Sequence, residues 1–183
     1  MTKLEENIFP TYISCFSKDK DSLSQWRGYG DDGRGIAIGF NSEVLNNLRD
    51  NDNDIHLKQI AYHDNLQNAI LDDALIRYII GVSDIKDWAY HILPVFKPIG
   101  FKEEQEWRLI FIPKENTGLK PNLYFQNGKL RQCYELPLSN GFISEIVLGP
   151  KCNLEPIDIV IFFRAFGFDI EESQIVKSEL SYR

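Results

Sequence analysis

Glu106-Trp-Arg-Leu-Ile-Phe-Ile112 is the stretch that decides the fold class. Trp107, Leu109 and Phe111 alternate with Glu106, Arg108, Ile110 and Ile112, which is the two-residue period of a β-strand. From Leu109 onward both faces are apolar, and this predicts a central strand covered on both sides. The strand opens on charge, in Lys102-Glu-Glu-Gln-Glu-Trp-Arg108. A carboxylate at the mouth of a buried strand needs partners, because burying it alone is costly.

Working outward, Gly35-Ile-Ala-Ile-Gly-Phe40 is the second clear strand, with Ile36, Ile38 and Phe40 on one face. The matched period predicts that Trp107, Leu109 and Phe111 pack against that face. Ala37 and Gly39 point the other way and leave room for close approach. Further strands are expected over 12–17, 57–62, 143–148 and 174–177. Two more, over 123–125 and 132–136, flank the hairpin signal Asn127-Gly128. Asp21 or Ser22 can cap a short helix through Trp26, and 42–48 reads as a second. A long helix is expected over 64–80, its stripe formed by Leu66, Ile70, Ala74 and Tyr78. Another is expected over 84–93, ended by Pro94. The last covers 157–166, with Pro156 in its first turn and Gly167 closing it. No regular βαβ beat is present. The pattern predicts an α+β fold, a mixed or mostly antiparallel sheet with helices packed on it. Residues 1–183 are expected to form a single domain.

Composition narrows the function classes. The 183 residues are 43% hydrophobic and 26% charged, as in a globular chain. The net charge of −7 argues against binding naked nucleic acid or an anionic membrane through bulk charge. Cys15, Cys133 and Cys152 are odd in number, with no Cys-x-x-Cys pair, which suits a reducing cytoplasm. The N-terminus lacks the pattern of a signal peptide, and no apolar run nears the ~20 residues of a membrane span. A cytoplasmic chain with no membrane association is the expectation. His56, His63 and His91 show no metal-ligand spacing, so no metal is expected.

Two segments carry candidate chemistry. If 104–108 is extended, Glu104, Glu106 and Arg108 share a face. Neighbouring carboxylates repel, raising one pKa toward acid–base work, while the arginine orients them. The structural alternative is a charged entrance to a core strand. The second segment is Ser14-Cys-Phe-Ser17, followed by Asp21 to Tyr29. There Ser14 and Ser17 precede Trp26, Arg27 and Tyr29, which can stack a flat ring and hold a phosphate or amide. The alternative is that Trp26 and Tyr29 cover the sheet edge. Cys15 reads as a core residue. Gly28-Tyr-Gly-Asp-Asp-Gly-Arg-Gly35 lacks phosphate-loop spacing and reads as a turn.

These pieces together resemble the bacterial family called domain of unknown function 2971. The resemblance is carried by Ser14 to Ser17; Asp21, Leu23, Trp26 and Tyr29; Gly33 and Gly35 leading into Ile36 to Phe40; and Ile60 with Tyr62. It continues through Lys97, Phe101, Glu104, Glu106, Trp107 and Arg108; Ile146 to Pro150; and Ser178, Leu180, Tyr182 and Arg183. Members of that family begin with a His-Tyr strand and an Asn-Asp-Pro motif. Here the chain starts almost at the Cys-Phe-Ser strand, so the resemblance implies an upstream segment or a partner chain. The arginine it implies near Leu123 is displaced, with Arg131 the nearest.

The order of elements also resembles ADP-ribosyltransferase-like folds, and Glu104-Gln105-Glu106 looks like their acidic turn. That resemblance implies NAD as substrate, with Glu106 stabilising an oxocarbenium ion and Glu104 activating the acceptor. Tyr29 or Trp26 would stack on nicotinamide, and Ser14 or Ser17 would support Glu106. Three readings stay open. One is an NAD-dependent ADP-ribosyltransferase-like enzyme of a bacterial defence or toxin system. Another is a non-catalytic binding or interaction module. The third is a hydrolase or nuclease using the Glu104, Glu106 and Arg108 cluster.

Overall fold

The computed structural model describes residues 11–50, 54–83, 90–114, 117–138 and 141–181. Its elements run β1 (Tyr12–Ser17), α1 (Leu23–Gly28), β2 (Ile36–Phe40), α2 (Ser42–Asn47), β3 (Ile55–Gln59), α3 (Asp64–Ile79), β4 (Glu106–Phe111), β5 (Pro121–Gln126), β6 (Lys129–Tyr134), β7 (Ile143–Leu148), α4 (Pro156–Ala165) and β8 (Ile175–Lys177). The fold is mixed α+β with mostly antiparallel sheets, as the sequence predicts. The chain forms two compact units. One draws on 11–16, 46–102 and 106–137, the other on 17–45, 103–105 and 138–181.

In the first unit the strand order is β1-β4-β3, so β4 is central. Strand β3 pairs antiparallel with it, Leu57 opposite Leu109 and Gln59 opposite Trp107. Leu109 and Phe111 pack on one side with Ile55, Tyr12 and Phe16. Ile110 and Ile112 pack on the other with Ile60, Tyr62 and Val95. The two-sided burial of this strand is therefore found. Of Ile36, Ile38 and Phe40, Ile36 packs against the cluster of β7 and the helix that follows it, and their strand, β2, pairs with β7. A two-residue period marks a half-buried strand but does not name its partner.

Three expectations in this unit need correction. The strand expected over 57–62 pairs over 55–59, and Ala61 instead bridges Phe96. Helix α3 has the expected extent, but of its stripe only Ala74 is buried, with Leu66 and Tyr78 about half exposed. A polar clamp holds this helix: the Gln67 side chain donates to the carbonyls of Ala61 and Lys97. Of the helix expected over 84–93, residues 84–89 lie outside the described residues, Tyr90 and His91 are helical as expected, and the chain then passes into a 3-10 turn, Leu93–Val95, that contains Pro94. The hairpin forms as its turn signal requires, with Asn127 and Gly128 at φ 51° and 73°.

In the second unit the order is β2-β7-β8, antiparallel then parallel. Ile146 and Leu148 pack with Ile159, Val160 and Phe163 of α4. Glu155 and Asp158 form a capping box ahead of Pro156, and Gly167 closes the helix at φ 84°. Gly149 is required by close approach, since a Cβ there would sit 2.4 Å from the Gly33 carbonyl oxygen. Among the described residues, no helix is long and apolar enough to cross a membrane.

Candidate functional site

The backbone turns sharply just ahead of β4. Residues Ile99–Glu104 form a 3-10 helix and Gln105 takes a left-handed φ of 44°. Residues 104–108 are thus not one extended run, and the expected alignment of Glu104 with Glu106 and Arg108 along a strand is corrected. Two bonds fix the turn. The amide of Lys18 donates to the Gln105 carbonyl at 3.1 Å, and the Ser17 hydroxyl donates to the Glu104 carbonyl at 2.8 Å.

Glu106 is the one charged residue among the described residues that is fully interior, 4% exposed. Strand geometry places Arg108 on its face, as expected, and Arg108 Nε donates to Oε1 at 2.6 Å. Lys97 Nζ donates to Oε2 at 2.7 Å, and Arg108 Nη2 reaches the same oxygen at 3.3 Å. The Glu106 amide donates to the Tyr62 hydroxyl at 2.7 Å. Arg108 Nη1 also donates to the Pro94 carbonyl, and Lys97 Nζ lies 4.8 Å from the centre of the Phe101 ring. The cluster is drawn together from β4, the segment after the 93–95 turn, and β1.

Electrostatics follow from this clamp. Burial alone would raise the Glu106 pKa, but hydrogen bonds from Arg108, the Cys15 thiol and Lys97 outweigh it and carry it down to about 2. The expected upward shift toward acid–base work is therefore reversed: Glu106 is a fixed anion, not a proton donor. The Cys15 thiol is pushed up, by burial first and then by its bond to the Glu106 carboxylate. A thiol held protonated is a poor nucleophile. Cys15 lies exposed on β1, not in the core as its apolar surroundings predict.

The other predicted binding residues separate into different roles. Trp26 is 3% exposed and its Nε1 donates to Asp21 Oδ1 at 2.7 Å, so its ring offers no open face for stacking. The same Asp21 carboxylate accepts from the Ser178 hydroxyl and the Glu179 amide. Burial would raise the Asp21 pKa, but Ser178, Trp26 and Glu179 hold it below the usual carboxylate range. Tyr29 is 77% exposed at the end of α1, next to the exposed Arg27. Ser14 is exposed on β1, where Cys15 rather than a serine meets Glu106.

Sequence reasoning missed the roles of Lys97, Tyr62 and Cys15 around Glu106. It also missed a grouping of Asp54, His56 and His91, whose ligand atoms all lie within 4.8 Å of one another. Asp54 and His56 are two residues apart at the entry to β3, and the fold brings His91 to them. They are the described residues with donor chemistry suited to a metal.

Residues 25–109 match the model of a family described as Protein of unknown function (DUF2971). The DUF2971 match takes in Trp26, Arg27, Tyr29, Glu104, Glu106 and Arg108 and spans just under half of the chain. Ser14 and Ser17 lie outside it. No curated protein and no solved structure matches the chain. The DUF2971 description carries no activity.

Proposed function

We propose that the chain is a non-catalytic interaction module that docks a partner polypeptide on the β5–β6 arm. The observation that carries this reading is the exposure of Leu123, Phe125 and Leu130, at 65%, 74% and 68%. Phe125 pairs with Leu130, and Leu123 with Gln132, so all three apolar side chains share one face. Tyr134, at the base of that face, packs edge-on against Tyr12 and Phe111. The apolar face therefore runs outward from the core into solvent. A two-stranded arm alone is marginally stable in water, and contiguous exposed apolar surface marks interaction sites.

Charge defines the partner. Lys120, Lys129 and Arg131 lie in residues 120–134, which contain no acid, whereas the whole chain carries −7. Arg131 and Lys129 pair with Tyr124 and Gln126, on the face opposite Leu123, Phe125 and Leu130, so they flank the apolar face rather than line it. The fitting partner is a polypeptide with an apolar patch and with Asp or Glu outside that patch. A photo-crosslinking residue at Phe125, with one at Gln126 on the opposite face as control, tests this in cells that make the chain. The expected result is one polypeptide captured from position 125 and not from 126. The purified pair should then bind at least about tenfold more weakly with Phe125→Lys. Equal capture at both positions, or capture of a second copy alone, overturns the reading.

A second reading is supported by the ionised state of Glu106. An ADP-ribosyltransferase-like reaction on NAD needs an anion beside the developing oxocarbenium ion, and a carboxyl with a pKa of about 2 supplies one. Both of its oxygens already accept hydrogen bonds from Lys97 and Arg108, which is why this reading stands second. Calorimetric titration with NAD and an assay for nicotinamide release decide it. Wild-type protein that neither binds NAD nor releases nicotinamide eliminates the enzyme reading.

A further inference from the structure

We infer that Asp54, His56 and His91 form a binding site for one divalent transition-metal ion of the zinc type. The donor atoms converge on a single oxygen. His56 Nε2 lies 2.7 Å from Asp54 Oδ1, and His91 Nε2 lies 3.7 Å from the same oxygen. The two imidazole rings meet edge to face, with centroids 5.0 Å apart. In a tetrahedral zinc site with bonds of about 2.0–2.1 Å, neighbouring donor atoms stand about 3.3 Å apart. The two observed spacings bracket that value and all three ligand atoms lie within 4.8 Å of one another, so an ion is admitted once the close His56–Asp54 contact opens to make room for it.

The scaffold positions the ligands ahead of any ion. His56 lies on β3, opposite Ile110 of the buried central strand. Asp54 immediately precedes β3, and its carbonyl accepts the amide of Ile112 at 3.1 Å. His91 precedes the turn Leu93–Val95, which is tied down by the buried Val95 and by the bond from the Ala61 amide to the Val95 carbonyl. The three side chains are 17–28% exposed, dry enough to favour charge pairing yet open to an entering ion.

Chemistry selects the ion. Two imidazole nitrogens with one carboxylate oxygen suit zinc and its first-row neighbours, whereas calcium and magnesium prefer all-oxygen shells. Both imidazoles address Oδ1, while Lys114 Nζ stands 3.9 Å from Oδ2. The ion therefore takes Oδ1, and Lys114 stays on the far oxygen as an outer partner. Three protein ligands leave a fourth position for water or a small ligand, the arrangement of an open rather than a closed zinc site.

The test uses the full chain, stripped with chelator and titrated with Zn2+ and separately with Co2+. One Zn2+ per chain is expected, unaffected by excess Mg2+ or Ca2+. His56→Asn and His91→Asn should each weaken binding at least about tenfold, and His63→Asn should not. Co2+ should give visible d–d bands without thiolate-to-metal charge transfer. Circular dichroism identifies any variant that fails to fold; for that case the Co2+ spectrum of the wild type still decides. Failure of the wild type to bind Zn2+ overturns the site. So does equal affinity in folded His56→Asn and His91→Asn, or a thiolate band placing the ion on Cys15, Cys133 or Cys152.

Discussion

Arg108 and Glu106 stand two residues apart on one face of β4, joined by a 2.6 Å bond from Nε to Oε1. With Lys97 on the other oxygen, the carboxylate answers two cations at once. Glu106→Gln keeps the shape but removes the charge that balances them. Removing one member of a buried ion cluster leaves the rest uncompensated, so the variant should lose about 3 kcal/mol in urea denaturation. A loss under about 1 kcal/mol would show that Lys97 and Arg108 find solvent instead.

The same carboxylate sets an acid limit. Its pKa falls from 4.5 to about 2 on folding, so in that window the unfolded chain binds more protons than the folded one. The stability it contributes is complete above pH 4.5 and is lost as pH falls toward about 2. Denaturation midpoints across this range should rise with pH more steeply in the wild type than in Glu106→Gln.

Leu109 lies 6% exposed between Ile55 and Phe111. Leu109→Ala opens a cavity on one side of the central strand and should cost about 2–5 kcal/mol by chemical denaturation. Leu123→Ala, on the exposed arm, should leave the isolated chain within about 0.5 kcal/mol of the wild type.

Gly149→Ala places a methyl group against the Gly33 and Gly35 carbonyl oxygens, at 2.4 and 2.9 Å. Backbone on both sides cannot yield cheaply, and a loss of about 1–3 kcal/mol is expected in thermal unfolding of the second unit. Gly128→Val has open space but a strained φ of 73°. It should speed hydrogen exchange within 121–134 while leaving the β4 amides protected.

The existence of the strands was legible because alternation and turn residues act locally, although β3 runs over 55–59 rather than 57–62 and the hairpin strands over 121–126 and 129–134 rather than 123–125 and 132–136. The hairpin at Asn127-Gly128 and the two-sided burial of β4 needed nothing from afar. Strand partners were not legible: the periods of β2 and β4 match, yet β2 joins β7. Glu106 and Arg108 were readable as a pair from their spacing alone. Lys97 and the Cys15 thiol were not, because their meeting with Glu106 depends on how separate segments cross. The left-handed Gln105 was equally hidden, and it undid the alignment with Glu104. Trp26 illustrates another limit, since an indole beside serine and arginine reads alike whether it stacks on a ligand or caps a core.

Strand β2 ends at Phe40, but its neighbour β7 begins at Ile143, and the Ser178 hydroxyl must still reach Asp21. On the ribosome, at about 5–20 residues per second, that delay is about 5–20 seconds. Throughout it, β2 emerges with its edge unpaired, because the strand that satisfies its backbone groups has not yet been made. Any stall in translation before residue 143 therefore leaves an open strand edge, the kind of surface that pairs with other chains.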